Sequence, residues 1–164
     1  MIVAAPHTSN WDFIMMIAMA WASDISPVWL GKQEMFSGPA GWLFRKMGGV
    51  PVDRENPGSL VDTMVALAGS DRRVGILVPP EGTRALKTHW KSGFRRIAMG
   101  ADIPVVLSFL DKPTRSGGFG PTMRMTEDLC GDMDLIRAFY IDKHGMKPGR
   151  FTPPLLREEA AVPT

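Results

Sequence analysis

The feature that most constrains the fold is a set of short, unbroken apolar runs, each stopped by a turn-forming or charged residue. Residues 2–5 (IVAA) stop at Pro6, 27–30 (PVWL) at Gly31, 74–78 (VGILV) at Pro79-Pro80, and 103–110 (IPVVLSFL) at Asp111. Runs of this length without polar alternation are strands covered on both faces. Segments of helical character lie between them: 13–23, 41–47 (closed by Gly48-Gly49) and 91–100. A further one covers 60–68, where Leu60, Val61, Met64, Val65, Leu67 and Ala68 follow a 3.6-residue period. A brief extended piece at 50–52, a fifth strand at 121–125 and a last helix at 132–140 complete the pattern. Strands alternating with helices predict an α/β domain with a single, mostly parallel or mixed sheet and helices on both faces. Residues 1–148 are read as that domain. The aperiodic residues 149–164, with FTPPLLREEAAVPT, are read as a loosely attached tail.

Composition removes several classes of function. A chain of 164 residues, 45% hydrophobic and 22% charged, has an ordinary globular balance and room for a sizeable core. Its net charge of +2 gives no sign of nucleic-acid binding. The single Cys130 rules out an internal disulfide and a cysteine-rich zinc site, so a reducing, cytoplasmic compartment is expected and Cys130 is read as structural. The opening MIVAAP lacks a basic n-region, and no signal peptide is expected. The longest apolar run, 13–22 (FIMMIAMAWA), is about half of the ~20 residues a spanning helix needs, so the chain is not expected to cross a membrane. Twelve methionines and five tryptophans fit either core filling or peripheral contact with the inner face of the cell membrane.

In open α/β sheets ligands gather at the carboxyl ends of the strands, and here those ends carry HTSNWD, GKQ, VDR and PPEGTR. The first holds His7 and Asp12. On one continuous helix their side chains would stand about 140° apart, but a loop entering a helix can fold the carboxylate back onto the imidazole. Asn10 and Asp12 then read in two ways: as helix caps beside a bystander histidine, or with Asp12 orienting His7 as a general base. In the second reading, backbone amides at the helix start are placed to meet a developing oxyanion. Arg54 and Arg84 each follow an apolar strand in a Gly- or Pro-rich turn, where a guanidinium suits phosphate or carboxylate recognition. Glu81, before Gly82, is placed to orient an arginine or bind a hydroxyl. The chain has no GxxxxGK[ST] phosphate loop and no GxSxG nucleophile elbow, and Ser9 is not expected to act as a nucleophile. His89 and His144 lack ligand spacing to each other or to His7, so no metal is expected.

Taken together, the four loops resemble those of the glycerolipid (lysophospholipid) acyltransferase family. His7 and Asp12 match its H-x4-D motif, residues 49–54 (GVPVDR) its second block, 80–84 (PEGTR) its third and 103–106 (IPVV) its fourth, in the family's order. The resemblance covers roughly residues 1–140. It implies a glycerol-3-phosphate acyltransferase-like fold. It also implies transfer of a fatty acyl group from acyl-CoA or acyl-carrier protein to the hydroxyl of a lysophospholipid or glycerol phosphate. By the same resemblance His7 is the base and Asp12 its partner, while Arg54 and Arg84 hold the acceptor phosphate. Glu81 and Gly82 shape the acceptor site, with Asn10, Lys32 and Thr83 as further substrate contacts. No cofactor is implied beyond the thioester donor. The expected partners are a lipid acceptor, the donor and a peripheral membrane surface. A glycolipid or other hydroxyl or amine acceptor is the alternative substrate, and a non-catalytic lipid-binding member of the fold the alternative class. Two features depart from the family. Many relatives carry N-terminal helices ahead of the histidine that here is residue 7, which implies a truncated or a minimal form. Val52-Asp53 also stands where relatives often have bulkier residues.

Overall fold

Ile2–Ala4 has no accessible surface at any residue, as an unbroken apolar run demands, and forms β1 near the middle of the sheet. The computed structural model describes residues 1–4, 6–52, 57–68, 74–82 and 85–161. After β1 come α1 (Asn10–Ala22), β2 (Ser26–Lys32), α2 (Gln33–Ser37), α3 (Gly41–Lys46), β3 (Gly49–Val52), α4 (Pro57–Ala68) and β4 (Val74–Val78). The chain continues through α5 (Gly93–Gly100), β5 (Val105–Asp111), β6 (Ser116–Met123) and α6 (Leu129–Tyr140). It ends in two short 3-10 turns, Pro148–Arg150 and Arg157–Ala161.

The six strands form one mixed sheet in the order β3-β2-β4-β1-β5-β6, all parallel except β6, which runs antiparallel to β5. The expected α/β class with helices on both faces is therefore present. Successive β1 side chains divide between two cores. Ile2 and Ala4 pack with Phe94, Ile97, Met133 and Ile136, from α5 and α6, on one face. Val3 packs with Met16, Ile17 and Phe36, from α1 and α2, on the other. Pro51 stands exposed on the edge strand β3, where a missing N–H costs no ladder bond. Gly48 has a φ of +83°, and a Cβ there would lie 1.8 Å from the Pro27 carbonyl oxygen. That close approach is why the Gly48-Gly49 pair ends α3 and admits β3.

The tail differs from the sequence expectation. Leu156 is buried and bridges Trp90, whose indole N–H donates to the Thr152 carbonyl at 2.9 Å. Arg137 of α6 pairs with Glu159 at 2.6 Å. The segment lacks a period because separate long-range contacts hold it, not one amphipathic face.

This topology selects one place on the sheet. The chain leaves β1 through α1 towards β2 on one side, and leaves β4 through α5 towards β5 on the other. β1 and β4 are neighbours with Ala4 opposite Val78, so their carboxyl ends are level. Between two strands whose connections diverge to opposite faces, the crevice beyond those ends stays uncovered. The loops that open there are HTSNWD and PPEG.

Candidate active site

Ser9 begins α1 as its N-cap, in extended geometry (φ −153°), and its Oγ accepts from the Trp11 amide at 3.2 Å. Asp12, at the third helical position, closes the reciprocal half of the capping box. One oxygen of that carboxylate, Oδ2, accepts from the Thr8 amide and the Ser9 amide, each at 2.5 Å, and from the Thr8 hydroxyl at 3.0 Å. The same Oδ2 lies 4.0 Å from His7 Nδ1. That is ion-pair range and beyond hydrogen-bond range. Asp12 therefore caps the helix, as the first sequence reading expects, and also stands beside His7. Asp12 is nearly inaccessible, whereas 22% of the His7 side chain remains exposed, so the imidazole can meet a substrate and its neighbour cannot. The amides of Thr8, Ser9 and Trp11 are all taken by side chains of this loop. They do not form the oxyanion site expected at the helix start.

Glu81 enters from the end of β4. It is 2% exposed, and its Oε2 accepts the His7 backbone amide at 3.2 Å, which ties the PPEG turn to the His7 loop. Burial pushes its carboxyl up to about 7; hydrogen bonds from backbone amides partly oppose this, and the Asp12 charge adds to it. Its Oε1 has no hydrogen-bond partner among the described residues. Gly82 follows with φ +65°, its amide donating to the Pro79 carbonyl at 3.0 Å. The Lys91 side chain lies across it, within 3.0 Å of where a Cβ would stand. A side chain at residue 82 would meet both constraints at once.

The other expected contacts are placed as follows. Asn10 is the exposed first residue of α1, next to the loop. Lys32 is exposed at the carboxyl end of β2, in register with Val52. It stands on the same sheet edge as His7, two strand spacings (about 10 Å) from β1. Thr83, Arg54 and Arg84 lie outside the described residues. His7, Asp12, Glu81 and Gly82 thus gather at the mouth of β1 and β4, with Lys32 on the flank.

Two participants were missed in the sequence. Thr8 is wholly buried and supplies two of the three donors to Asp12. Tyr140 of α6 donates its hydroxyl to the Ser108 carbonyl at 2.8 Å and the Ala4 carbonyl at 3.1 Å, fixing the end of β1 from below. Burial pushes that hydroxyl far above the usual tyrosine range, so it serves as a neutral donor. The Ser9-x-x-Asp12 spacing was the available signal for the capping box; no spacing pointed to Tyr140.

Over 87 aligned residues the chain is 33% identical to the 1-acyl-sn-glycerol-3-phosphate acyltransferase of Streptococcus pneumoniae. That alignment covers 51% of this chain and 31% of the relative, so the chain spans about a third of that protein. No solved structure gives a significant match. The sequence profile of the Acyltransferase family matches residues 1–107, from the start of the chain through the first three residues of β5, and the chain belongs to that family.

Proposed function

We propose that this chain transfers a fatty acyl group from a thioester donor, acyl-CoA or acyl-carrier protein, to the hydroxyl of a lysophospholipid or glycerol phosphate. The observation that carries the reading is the accessible His7 imidazole beside the buried Asp12 carboxylate at the β1/β4 crevice. His7 removes the proton of the acceptor hydroxyl as its oxygen attacks the thioester carbonyl. The tetrahedral intermediate collapses, the C–S bond breaks, and the imidazolium returns its proton to the departing thiolate. The acceptor oxygen takes the place of an enzyme serine, so no acyl-enzyme is needed. Arg54 and Arg84 are proposed to hold the acceptor phosphate, with Lys32, Asn10, Glu81, Gly82 and Thr83 around it.

The surface next to the site supports a lipid acceptor. Trp11, Ile14, Met15 and Trp21 form an outward apolar stripe on α1, opposite the face that packs Met16, Ile17 and Ala20. Met35, Trp42 and Leu43 extend the exposed apolar surface to α2 and α3. Among the described residues no helix is long and apolar enough to cross a membrane, so the proposed contact is peripheral.

The test is product formation from acyl-CoA or acyl-carrier protein with a lysophosphatidic acid, followed by mass spectrometry. The same acceptor without its phosphate is run in parallel. His7→Ala should abolish transfer. Arg54→Ala and Arg84→Ala should each weaken use of the phosphorylated acceptor by about tenfold or more, as for a lost charge-assisted contact, with little effect on the donor. Equal use of both acceptors by the wild type, unchanged in either arginine variant, would move the glycolipid or other-hydroxyl acceptor ahead.

A further inference from the structure

The loop after α6 reaches back to the His7 loop. The Lys147 backbone amide donates to Thr8 Oγ1 at 3.0 Å, across 139 residues of sequence. Gly145, with φ +73°, lies against Thr8 so closely that a Cβ would come within 2.9 Å of Thr8 Cγ2. The loop is anchored from its other side by Asp111 at the end of β5, whose Oδ1 accepts the His144 amide at 2.9 Å. The Lys112 amide donates to the Gly145 carbonyl at 3.3 Å. All of these contacts use residues beyond the segment that matches the family profile.

The Thr8 hydroxyl joins this anchored loop to Asp12. A hydroxyl that accepts the Lys147 N–H has one hydrogen left to give, and a carboxylate can only accept, so the direction of both bonds is set. Together with the amides of Thr8 and Ser9, Thr8 Oγ1 completes three hydrogen bonds on Asp12 Oδ2, while each carboxylate oxygen offers about two lone-pair sites. Oδ2 is therefore saturated. Asp12 Oδ1 is buried and without a hydrogen-bond partner among the described residues. We propose that Thr8 is a positioning residue: held by the 145–147 loop, it pins Asp12 through Oδ2, the oxygen 4.0 Å from His7 Nδ1, and so fixes the carboxylate beside the imidazole. The negative charge so placed favours the Nδ1–H tautomer of His7 and leaves Nε2 as the base. The inference rests on the reading of His7 as base, and it assigns the segment after α6 a part in setting the base's geometry.

The test separates positioning from packing and does not depend on turnover. In the protein with 15N-labelled histidine, the imidazole nitrogen shifts report the His7 tautomer. Thr8→Val keeps the shape of the side chain and removes both hydroxyl bonds; Thr8→Ser keeps the bonds. Thr8→Val should shift the wild-type tautomer balance away from the Nδ1–H form, and Thr8→Ser should restore it. Gly145→Ala pushes the loop off Thr8 from the far end of the chain and should produce the same change in smaller degree. With donor and acceptor present, Thr8→Val should lower kcat by roughly tenfold or more with KM little changed, well short of the ~10⁴-fold cost of losing an orienting carboxylate. If folded Thr8→Val and Gly145→Ala both keep the wild-type tautomer, the positioning role is overturned. A wild type that shows the Nδ1–H tautomer yet transfers no acyl group would instead overturn the proposed reaction and leave the role of Thr8 standing.

Discussion

Glu81→Gln is the perturbation whose magnitude the structure sets most directly. The carboxyl is 2% exposed and is pushed from 4.5 up to about 7, burial being the main cause. A folded-state value above the unfolded one means that the native protein binds the extra proton. The stability this supplies is complete below about pH 4.5 and is lost as pH rises through about 7. With 1.36 kcal/mol per unit, the loss between pH 5 and pH 8 is about 2–3 kcal/mol. Glutamine cannot ionise, so this component vanishes in the variant. Its amide oxygen can still accept the His7 N–H, while its buried amino group adds a penalty of about 1–3 kcal/mol that does not vary with pH. The difference between the two pH–stability curves is therefore the quantity to measure, since the fixed penalty cancels. Urea unfolding of wild type and Glu81→Gln, at half-unit steps from pH 5 to 8, should show the wild type losing about 2–3 kcal/mol more than the variant. Parallel curves would mean that Glu81 ionises as freely when folded as when unfolded. The account of it as a buried strut under the His7 loop would then be wrong.

Ser9→Ala removes the acceptor of the Trp11 amide and the cap of α1. It should cost about 1 kcal/mol in stability while leaving most activity, and an acyl group trapped on Ser9 during turnover would refute that assignment. The exposed apolar surface of α1 and α3 should bind vesicles. Sedimentation should be stronger with anionic than with neutral lipid, weaken with salt through Lys32 and Lys46, and drop in a Trp21→Ser/Trp42→Ser variant. Equal, negligible sedimentation with both lipids would remove the membrane surface from the proposal.

The parts legible in the sequence are those whose pattern is local. Val74–Val78 has the expected boundaries and Ile2–Ala4 nearly so, because a strand covered on both faces announces itself by composition alone. α1 begins at Asn10, three residues before the apolar period does, since its first turn is made of cap residues that hydrophobic spacing cannot count. β6 starts at Ser116, earlier than expected, because Gly117, Gly118 and Gly120 carry no alternation on an edge strand. The site divides along the same line. His7 and Asp12 are readable from spacing because five residues of loop bring them together, whereas Glu81 reaches His7 across 74 residues and only the adjacency of β4 to β1 explains it. Sequence could say which loops follow strands but not which strands are neighbours. At Asp12 the local reading of HTSNWD leaves room for the proposed chemical one. Oδ2 accepts from Thr8 and Ser9, which starts the helix and stiffens the loop, and the same oxygen lies 4.0 Å from His7 Nδ1. The cap holds the carboxylate at a fixed place beside His7, so in the proposed reaction it would act on the imidazole at no further entropic cost. The same side chain therefore specifies the local fold and supplies the geometry on which the proposed chemistry depends.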